Sequence, residues 1–430
     1  MGPILFFFYR QFLVPLASLI LFLAKPLLRG KLKIISEERL ENKWVFIKTF
    51  LLPLESPIWI HAASGEIEYA RPLIREFKKQ FPKIPIVVTY SSPSAKKILI
   101  KMTDVDAWGP SPWDSIKACQ NFLDRVRPRA VYFARTDVWP EISYQLHLKK
   151  IPSILFSATF AKNSSRLKGL TKFLTIWTLN QLTQVMVVSA EDQKELHGFG
   201  FQTSLVTGDT RYDQVFYRLD HPQPVNQNSR PNPDFKILVA GSTWPEDEIV
   251  LFSWFVQSRM KNSVKLLLAP HEISSDRLLK ITSFLKSKYI ECQFYSENKP
   301  WTAAVLIVDQ IGILAELYTW GTAAFVGGSF RKQVHSVMEP LACGLMVSVG
   351  PFHQNNREAL EFKNIYLPTK NPKQAIVHRV ESPEDLEAFW QLSVSLSQED
   401  RKSLAAEVKA RTGSTQKIVQ TFLGTNSVST

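Results

Sequence analysis

Cysteine is scarce in this sequence of 430 residues, and the few cysteines exclude two common ways of stabilising a fold. Cys119, Cys292 and Cys343 are odd in number and far apart. Disulfide frameworks and zinc sites instead need paired cysteines at short, regular spacings. The distribution therefore predicts that the globular part of the protein lies in a reducing compartment.

The sequence also lacks low-complexity tracts, short-period repeats and long blocks of Lys and Arg. Hydrophobic residues make up 45% and charged residues 21%, which is typical of a globular protein, and the length predicts two domains. The net charge of +13 favours an anionic partner, such as an acidic membrane surface or a phosphorylated small molecule. Nucleic acid ranks last among anionic partners, because no common nucleic-acid-binding motif is present.

Residues 3–24 are strongly apolar and carry a single charge, at Arg10. They are about long enough to cross a hydrocarbon core of roughly 30 Å. The basic residues within 25–33 predict that the protein body lies on the cytoplasmic side. A helix lying in the membrane interface is an equally good interpretation, because Pro15 can bend the helix and Arg10 shortens the apolar run. Both interpretations make residues 1–30 a membrane anchor.

Short apolar segments rich in β-branched residues alternate with amphipathic segments along the rest of the chain. Examples are PIWIHA at 57, PIVVTY at 85, AVYFAR at 130, KILVAG at 236 and TAAFVGG at 322. This alternation is typical of parallel sheets covered by helices. The sequence therefore predicts an α/β protein.

Residues 217–235 contain four prolines and few apolar residues, which predicts a linker. The linker would separate two Rossmann-like doubly wound domains, residues 31–216 and 236–399, that face a cleft. Residues 400–430 are predicted to be helical and could pack across the first domain. Ligands of doubly wound sheets bind beyond the carboxyl ends of the strands, so functional residues are expected at those positions.

Glu66 follows the predicted strand PIWIHA and precedes an apolar helical pattern that begins at Ile67. Its carboxylate is thus predicted in the first turn of a helix at a strand end, where it could act as a general base. A carboxylate there can instead merely stabilise the helix N-terminus, and the pattern alone favours that simpler role. His61, inside the apolar strand, is predicted to be a core histidine.

Gly241, Ser242 and Thr243 end the strand KILVAG, and a helical pattern follows them. The amides at the start of that helix could bind a phosphate. Thr243 and Glu246 equally fit a capping box, which needs no ligand.

A third group of polar residues follows the strand TAAFVG. Its members are Gly327, Gly328, Ser329, Arg331, Lys332, His335, Glu339 and Asn355. Paired glycines, cations and a helix start are typical of a nucleotide phosphate site. Glu339 could accept hydrogen bonds from ribose hydroxyls or could serve as a cap. The convergence of these features on one sheet edge favours a binding site.

The motifs resemble, in their order along the chain, those of the Kdo (3-deoxy-D-manno-octulosonic acid) transferases. They are HAASGEIEYARPLI, TDVWPEI, SAEDQKEL, GDTRYDQV, AGSTWPEDE, VGGSF, HSVMEPLACG and GPFHQN. The resemblance covers nearly the whole chain. It implies the two-domain GT-B fold and the transfer of Kdo, with inversion, from CMP-Kdo to a phosphorylated lipid A precursor. It also implies a location at the cytoplasmic face of the inner membrane and no need for a cofactor or metal.

The resemblance also implies roles for individual residues, with Glu66 as the catalytic base and Glu339 as the carboxylate that binds the nucleotide. The other donor-side residues that it implies are Gly241, Ser242, Thr243, Arg211, Gly327, Gly328, Ser329, His335 and Asn355. On the acceptor side it implies Ser64, Gly65, Arg135 and Asp137.

The chain departs from the family pattern at several positions. Ser64-Gly65-Glu66 is one residue shorter than the usual S-x-G-E, and Arg135 stands where an acidic residue is usual. Arg211, Trp244 and Ser336 stand where Lys, His and Asn are usual. Two alternatives therefore stay open: a GT-B transferase that uses a nucleoside-diphosphate sugar, and a catalytically silent protein that binds a membrane surface.

Overall fold

The structure, a computed structural model, describes residues 1–40, 44–46, 56–160, 164–258, 264–331, 334–367 and 373–426. Contacts divide the chain into two compact units. The first comprises Met1–Gln214 and Arg411–Thr430, and the second comprises Val215–Ala410. Each unit has one sheet covered by helices, as the alternating sequence pattern predicts.

The first unit contains an eight-stranded sheet. Its strands are β1 Val45–Phe46, β2 Ile58–His61, β3 Ile86–Tyr90, β4 Ala107–Pro110, β5 Ala130–Ala134, β6 Ser153–Ala158, β7 Gln184–Val187 and β8 Ser204–Val206. Their order is β1-β4-β3-β2-β5-β6-β7-β8, in which β1 is antiparallel and the others are parallel. The direction of chain progression reverses between β2 and β5, so the switch point of the sheet lies there.

The second unit contains a seven-stranded parallel sheet. Its strands are β9 Lys236–Thr243, β10 Val264–Pro270, β11 Cys292–Phe294, β12 Val305–Ile307, β13 Ala323–Val326, β14 Val347–Val349 and β15 Val377–Arg379. Their order is β11-β12-β10-β9-β13-β14-β15. The switch point of this sheet lies between β9 and β13.

Helices follow most strands. They are α1 Gly2–Phe8, α2 Val14–Ala24, α3 Gly30–Leu40, α4 Ile67–Gln80, α5 Lys96–Leu99, α6 Ile116–Val126, α7 Pro140–Leu148, α8 Gly169–Leu179, α9 Ala190–Gly198, α10 Thr210–Asp220, α11 Pro245–Ser258, α12 Ser275–Ser287, α13 Leu314–Leu317, α14 Met338–Ala342, α15 Arg357–Phe362, α16 Pro383–Val394, α17 Gln398–Lys409 and α18 Ser414–Asn426. A π-helical turn at Tyr9–Leu13 joins α1 to α2. The whole run Gly2–Ala24 is long and apolar enough to cross a membrane.

Apolar side chains cover both faces of the first sheet. Ile58 and Ile60 of β2 enter one cluster and Trp59 enters the other, because successive side chains of a strand point to opposite faces. The apolar face of α4 packs on the first of these clusters through Phe77, which lies against Phe422 of α18 with ring centroids 5.5 Å apart. Burial on both faces explains why the strands are continuously apolar.

The predicted linker segment begins inside α10, which ends at Asp220. Arg218 of this helix pairs with Glu316 at 2.6 Å. Further along, the Asn226 side chain donates to the backbone carbonyl of Tyr295 at 2.9 Å. Residues of the predicted linker thus pack within the second unit. The C-terminal segment returns to the first unit, where Asp213 accepts hydrogen bonds from the backbone near the start of α18.

Candidate active site

Asp137 is the centre of a hydrogen-bonded cluster at the switch point of the first sheet, beyond the ends of β2, β3 and β5. His61 Nε2 lies 2.9 Å from Asp137 Oδ2, and Ser91 Oγ donates to the same oxygen at 2.8 Å. Trp139 Nε1 donates to Asp137 Oδ1 at 2.9 Å. We call these four residues the Asp137 cluster. The cluster occupies the edge at which doubly wound sheets bind their ligands.

His61 is buried, as the sequence predicts, but its ring also serves this cluster. Its Nδ1 lies 2.8 Å from Thr89 Oγ1, and that oxygen already accepts a hydrogen bond from Trp59 Nε1. The hydroxyl proton of Thr89 is therefore available to His61 Nδ1. This arrangement favours the tautomer in which Nε2–H donates to Asp137. The apolar strand around His61 conceals this role in the sequence.

The surroundings of Asp137 keep its carboxylate ionised. Burial alone would raise the pKa of Asp137, but the hydrogen bond of His61, the charge that His61 carries when it is protonated, the hydrogen bond of Ser91 and the charge of Arg166 lower that pKa to about 2. A group with such a pKa is a poor proton acceptor at neutral pH. Asp137 thus orients His61, Ser91 and Trp139 and is unsuited to act as a general base.

Glu66 lies at the N-cap of α4, one position before the first turn in which the sequence predicts it. Its Oε2 accepts a hydrogen bond from Ser64 N at 3.0 Å. The carboxylate is therefore bonded to the backbone of the short loop that precedes it. Ser64 Oγ lies 2.6 Å from Ser94 Oγ, and Gly65 is exposed. Among the described residues, Glu66 Oε1 has no hydrogen-bond partner. The side chain is half-buried and can accept a proton from a bound molecule.

Arg135 and Arg211 lie near the start of α4. Their guanidinium carbons are 5.6 and 4.5 Å from the ring centroid of Tyr69. Arg211 also pairs with Asp209 at 2.7 Å, and Arg135 has a φ of +67°, a strained conformation for a residue with a side chain. Arg211 therefore lies in the first unit with the acceptor-side residues, whereas the other predicted donor-side residues lie in the second unit.

Gly241 and Gly327 lie at the switch point of the second sheet, at the ends of β9 and β13. A Cβ atom at Gly327 would lie 2.4 Å from Ser242 O, and one at Gly241 would lie 2.1 Å from the Tyr318 hydroxyl. Neighbouring atoms of the protein therefore leave no room for a side chain at either position. Ser242 has a φ of +55°, so strained backbone occurs at this strand end as well.

The capping box predicted for Thr243 and Glu246 is wrong in its acidic partner. Thr243 donates to Glu248 at 2.8 Å, and Asp247 accepts a hydrogen bond from Trp244 N at 2.8 Å. The carboxylate of Asp247 also accepts from Gly328 N at 2.7 Å. Because Asp247 is buried between the two strand ends, it satisfies amides that Glu246, at the surface, does not reach. A helix N-terminus rich in acidic residues is the only sequence signal for this role.

His335 is in a ladder of stacked planar groups above the second sheet. His271 stacks between His335 and Trp244, with centroids 4.6 Å apart on each side, and Arg331 lies 4.4 Å from the Trp244 ring. Burial and the neighbouring His271 lower the pKa of His335 to about 4, so its ring is neutral at pH 7. Its Nε2 is buried and has no hydrogen-bond partner among the described residues. A ligand could satisfy this atom.

The remaining predicted donor-side residues lie around the same strand ends. Ser329 is buried, and its hydroxyl accepts from Gly350 N at 2.5 Å, which is a structural role. Glu339, in α14, accepts from the Ser336 hydroxyl. Asn355 is exposed, whereas its neighbour Asn356 caps α15 and donates to His335 O at 2.8 Å.

Lys332 lies outside the described residues. Within the described ranges, no three His, Cys, Asp or Glu side chains are grouped as in a metal site.

Solved structures confirm the predicted fold. The UDP-GlcNAc 2-epimerase of Neisseria meningitidis, bound to UDP-GlcNAc, matches with a TM-score of 0.62 over 86% of this chain and all of that chain, at 14% identity. A second UDP-N-acetylglucosamine 2-epimerase matches with a TM-score of 0.60 at 11% identity, over 87% of this chain and 96% of that chain. At such low identity the likeness concerns the fold alone. The chain thus has two Rossmann-like domains of the GT-B type.

Sequence comparisons support the resemblance to Kdo transferases. A family model described as 3-deoxy-D-manno-octulosonic-acid transferase (kdotransferase) matches residues 36–214. The 3-deoxy-D-manno-octulosonic acid transferase of Haemophilus influenzae is 27% identical over 331 residues, which are 73% of this chain and 75% of that protein. The transferase of the same name from Aquifex aeolicus is 26% identical over 346 residues, or 79% of this chain and 89% of that protein. These matches support the resemblance to Kdo transferases and indicate that the chain is a glycosyltransferase.

Proposed function

We propose that this protein transfers Kdo from CMP-Kdo to a phosphorylated lipid A precursor, with inversion at the anomeric carbon and with Glu66 as the general base. The observation that carries this proposal is the pair of carboxylates at the first switch point. Asp137 is hydrogen-bonded to three side chains, and its carboxylate stays ionised because its pKa is lowered. Glu66, half-buried and with one oxygen unbonded among the described residues, is the carboxylate suited to accept a proton.

The chemistry needs a base because an alcohol is a weak nucleophile at neutral pH. As the acceptor oxygen bonds to the anomeric carbon of Kdo, its proton passes to Glu66, and the bond to CMP breaks. The hydrogen bond from Ser64 N holds the carboxylate in place before the acceptor arrives. Positioning of this kind lowers the entropic part of the barrier.

The departing CMP is anionic, and we place it at the strand ends of the second unit. Ser242, in its strained conformation, and the buried Nε2 of His335 are polar groups available there. Glu339 lies on the same side of this sheet and would accept hydrogen bonds from the ribose. Gly241, Gly327 and Ser329 act indirectly, by allowing the strand ends and loops to approach each other.

Arg135 and Arg211 would bind the acidic groups of the substrates. Both are cations that lie over the ring of Tyr69, which is one turn after Glu66 in α4. Guanidinium groups suit phosphate and carboxylate ligands because their N–H groups form a planar fork. In this proposal Arg135 compensates for the shortened Ser64-Gly65-Glu66 loop by supplying charge on the acceptor side.

We also propose that the N-terminal helix attaches the protein to the cytoplasmic face of the inner membrane by lying in one leaflet. Phe6 stacks on Trp177 with centroids 3.9 Å apart, and Arg10 pairs with the buried Glu141 at 2.9 Å. One side of the first ten residues therefore packs against the protein, whereas Ile4, Phe7 and Phe8 are more than half exposed. The remaining 14 residues to Ala24 span about 21 Å as a helix, which is short of a hydrocarbon core of roughly 30 Å.

The test is transfer of labelled Kdo from CMP-Kdo, generated in situ, to a purified lipid A precursor by the full-length protein in detergent. Glu66→Gln should lower the rate by about two to four orders of magnitude while CMP binding is retained. Glu68→Gln is the matched control, because Glu68 lies on the same helix, is half-buried and pairs only with Arg71 among the described residues. Its rate should stay within about threefold of wild type.

Two outcomes would contradict the proposal. Transfer that survives in Glu66→Gln would exclude this residue as the base. Tight CMP binding without any transfer by the wild type would favour the catalytically silent alternative, which the short loop and Arg135 suggest. If UDP rather than CMP protected the protein in a ligand-protection assay, a nucleoside-diphosphate sugar would be the favoured donor.

A further inference from the structure

A groove of about 210 Å³ lies between the N-terminal helix and the strand ends of the first unit. The helix contributes Leu13, Ala17 and Leu21 to one wall, and the protein body contributes Phe133 and Ile142 to the other. The lining is therefore mostly apolar. We call this feature the anchor groove. Neither the fold nor the transfer chemistry requires an apolar groove at this place.

The outer surface of the same helix shows what surrounds the groove. Phe12, Leu16, Leu19, Ile20 and Leu23 are each more than half exposed. A run of exposed apolar side chains on one helix is typical of a segment that lies in lipid. The anchor groove thus opens beside a surface that the bilayer would cover, so an acyl chain can enter it without crossing water.

The inner end of the groove is polar and carries a cation. The Arg39 guanidinium lies 4.4 Å from the ring of Trp113 and donates to Ser111 at 3.0 Å. Its Nε is buried and has no hydrogen-bond partner among the described residues. The carboxylates of Asp137 and Asp114 are near enough to interact with the Arg39 charge, but among the described residues neither forms an ion pair with it. A phosphate oxygen would satisfy this orphaned donor.

The same end of the groove meets the candidate active site. His61 and Trp139 line the groove and belong to the Asp137 cluster. A molecule with its chain beside Ala17 and its phosphate at Arg39 would therefore have its head group at the switch point from which the Glu66 loop begins. The groove thus connects the lipid-facing helix to the strand ends.

We infer that the anchor groove binds one acyl chain of the phosphorylated lipid acceptor, with Arg39 contacting its phosphate. The inference rests on the proposed transfer to a lipid acceptor, because it names the part of the protein that recognises the lipid portion. The acyl chain is held by burial of apolar surface, and the phosphate by a charge-assisted hydrogen bond. The N-terminal helix is thereby part of the acceptor site as well as an anchor.

Two substitutions on adjacent residues separate this role from anchoring. Ala17 lines the groove, so Ala17→Trp would place a ring in it, whereas Leu16→Trp adds a similar ring at an exposed residue that does not line the groove. For an acylated acceptor, we expect Ala17→Trp to raise KM at least tenfold and Leu16→Trp to change it less than twofold. For a deacylated acceptor, neither variant should differ from wild type. Equal effects of the two variants, or equal effects on both acceptors, would overturn the inference.

A second measurement does not depend on turnover. Full-length protein is mixed with vesicles of phosphatidylglycerol that carries a photoreactive acyl chain, and cross-linked peptides are mapped. Labelling of the segment from Trp113 to Ile142, lost in Ala17→Trp and kept in Leu16→Trp, is expected. Labelling confined to the outer helix residues would refute the groove as a lipid site. Labelling of the groove without any Kdo transfer would instead contradict the proposed function alone.

Discussion

The substitution Asp137→Asn tests how strongly the Asp137 cluster is held together. The pKa of Asp137 is lowered from an ordinary 3.8 to about 2, and its side chain is 13% exposed. The difference between these two pKa values corresponds to about 2.4 kcal/mol of unfolding free energy at pH 7. Because the folded pKa lies below the unfolded pKa, this stability is present above pH 4 and is lost as the pH falls toward 2. It should be about 1.3 kcal/mol at pH 3.

The assay is urea unfolding of the full chain in detergent, followed by tryptophan fluorescence at pH 7 and pH 3. Asp137→Asn should lower the unfolding free energy by about 2.4 kcal/mol at pH 7, and the difference from wild type should shrink by about half at pH 3. Asp124→Asn is the control, because Asp124 is 64% exposed and its ion pair with Lys149 should contribute less than about 1 kcal/mol. The reasoning would be refuted if Asp137→Asn lowered the unfolding free energy at pH 7 by less than the control does. It would also be refuted if the difference in unfolding free energy between Asp137→Asn and wild type did not change with pH.

Three further predictions address other parts of the molecule. Gly327→Ala should lower the unfolding free energy by about 1 to 3 kcal/mol, since its Cβ would meet rigid backbone at Ser242; a melting curve equal to that of wild type would contradict this. Glu339→Ala should weaken CMP-Kdo binding by about tenfold through the loss of a charge-assisted hydrogen bond to ribose, as calorimetry can measure, and unchanged affinity would exclude the ribose contact. Deletion of residues 1–30 should move the protein from the membrane to the soluble fraction on centrifugation, and unchanged recovery in membranes would refute the anchor.

Much of the fold is predictable from the sequence because strands buried on both faces leave a strong local signal. PIWIHA, AVYFAR and KILVAG all contain strands at the expected positions. The patterns do not predict β1, β4, β8, β11 and β15, which have two to four residues each. β4 also contains Gly109 and Pro110, residues that usually interrupt strands. Segments this short become strands because they pair with neighbouring strands. The hydrophobic periodicity of the segment itself gives no sign of that pairing.

The candidate site is predictable at the level of strand ends, but the partners of individual residues are not. The sequence points to Glu66, and in the structure this residue occupies the N-cap position of α4 after β2, without a side-chain capping hydrogen bond. By contrast, Arg211 lies in the first unit, and Asp247 performs the capping that the pattern assigns to Glu246. Several neighbouring carboxylates fit a local motif equally well, and burial decides which one the amides reach.

The sequence by itself determined the class of fold, the apolar N-terminal segment, the strand ends that carry polar residues and the family resemblance. These properties depend on local periodicity and on the order of motifs along one chain. Only the tertiary structure decided that His61 bonds to Asp137, 76 residues away, and that Arg10 pairs with Glu141, 131 residues away. Such pairs depend on which strands become neighbours at a switch point and on which helix face packs against the sheet. They are set by long-range packing, because one local sequence is compatible with many different partners.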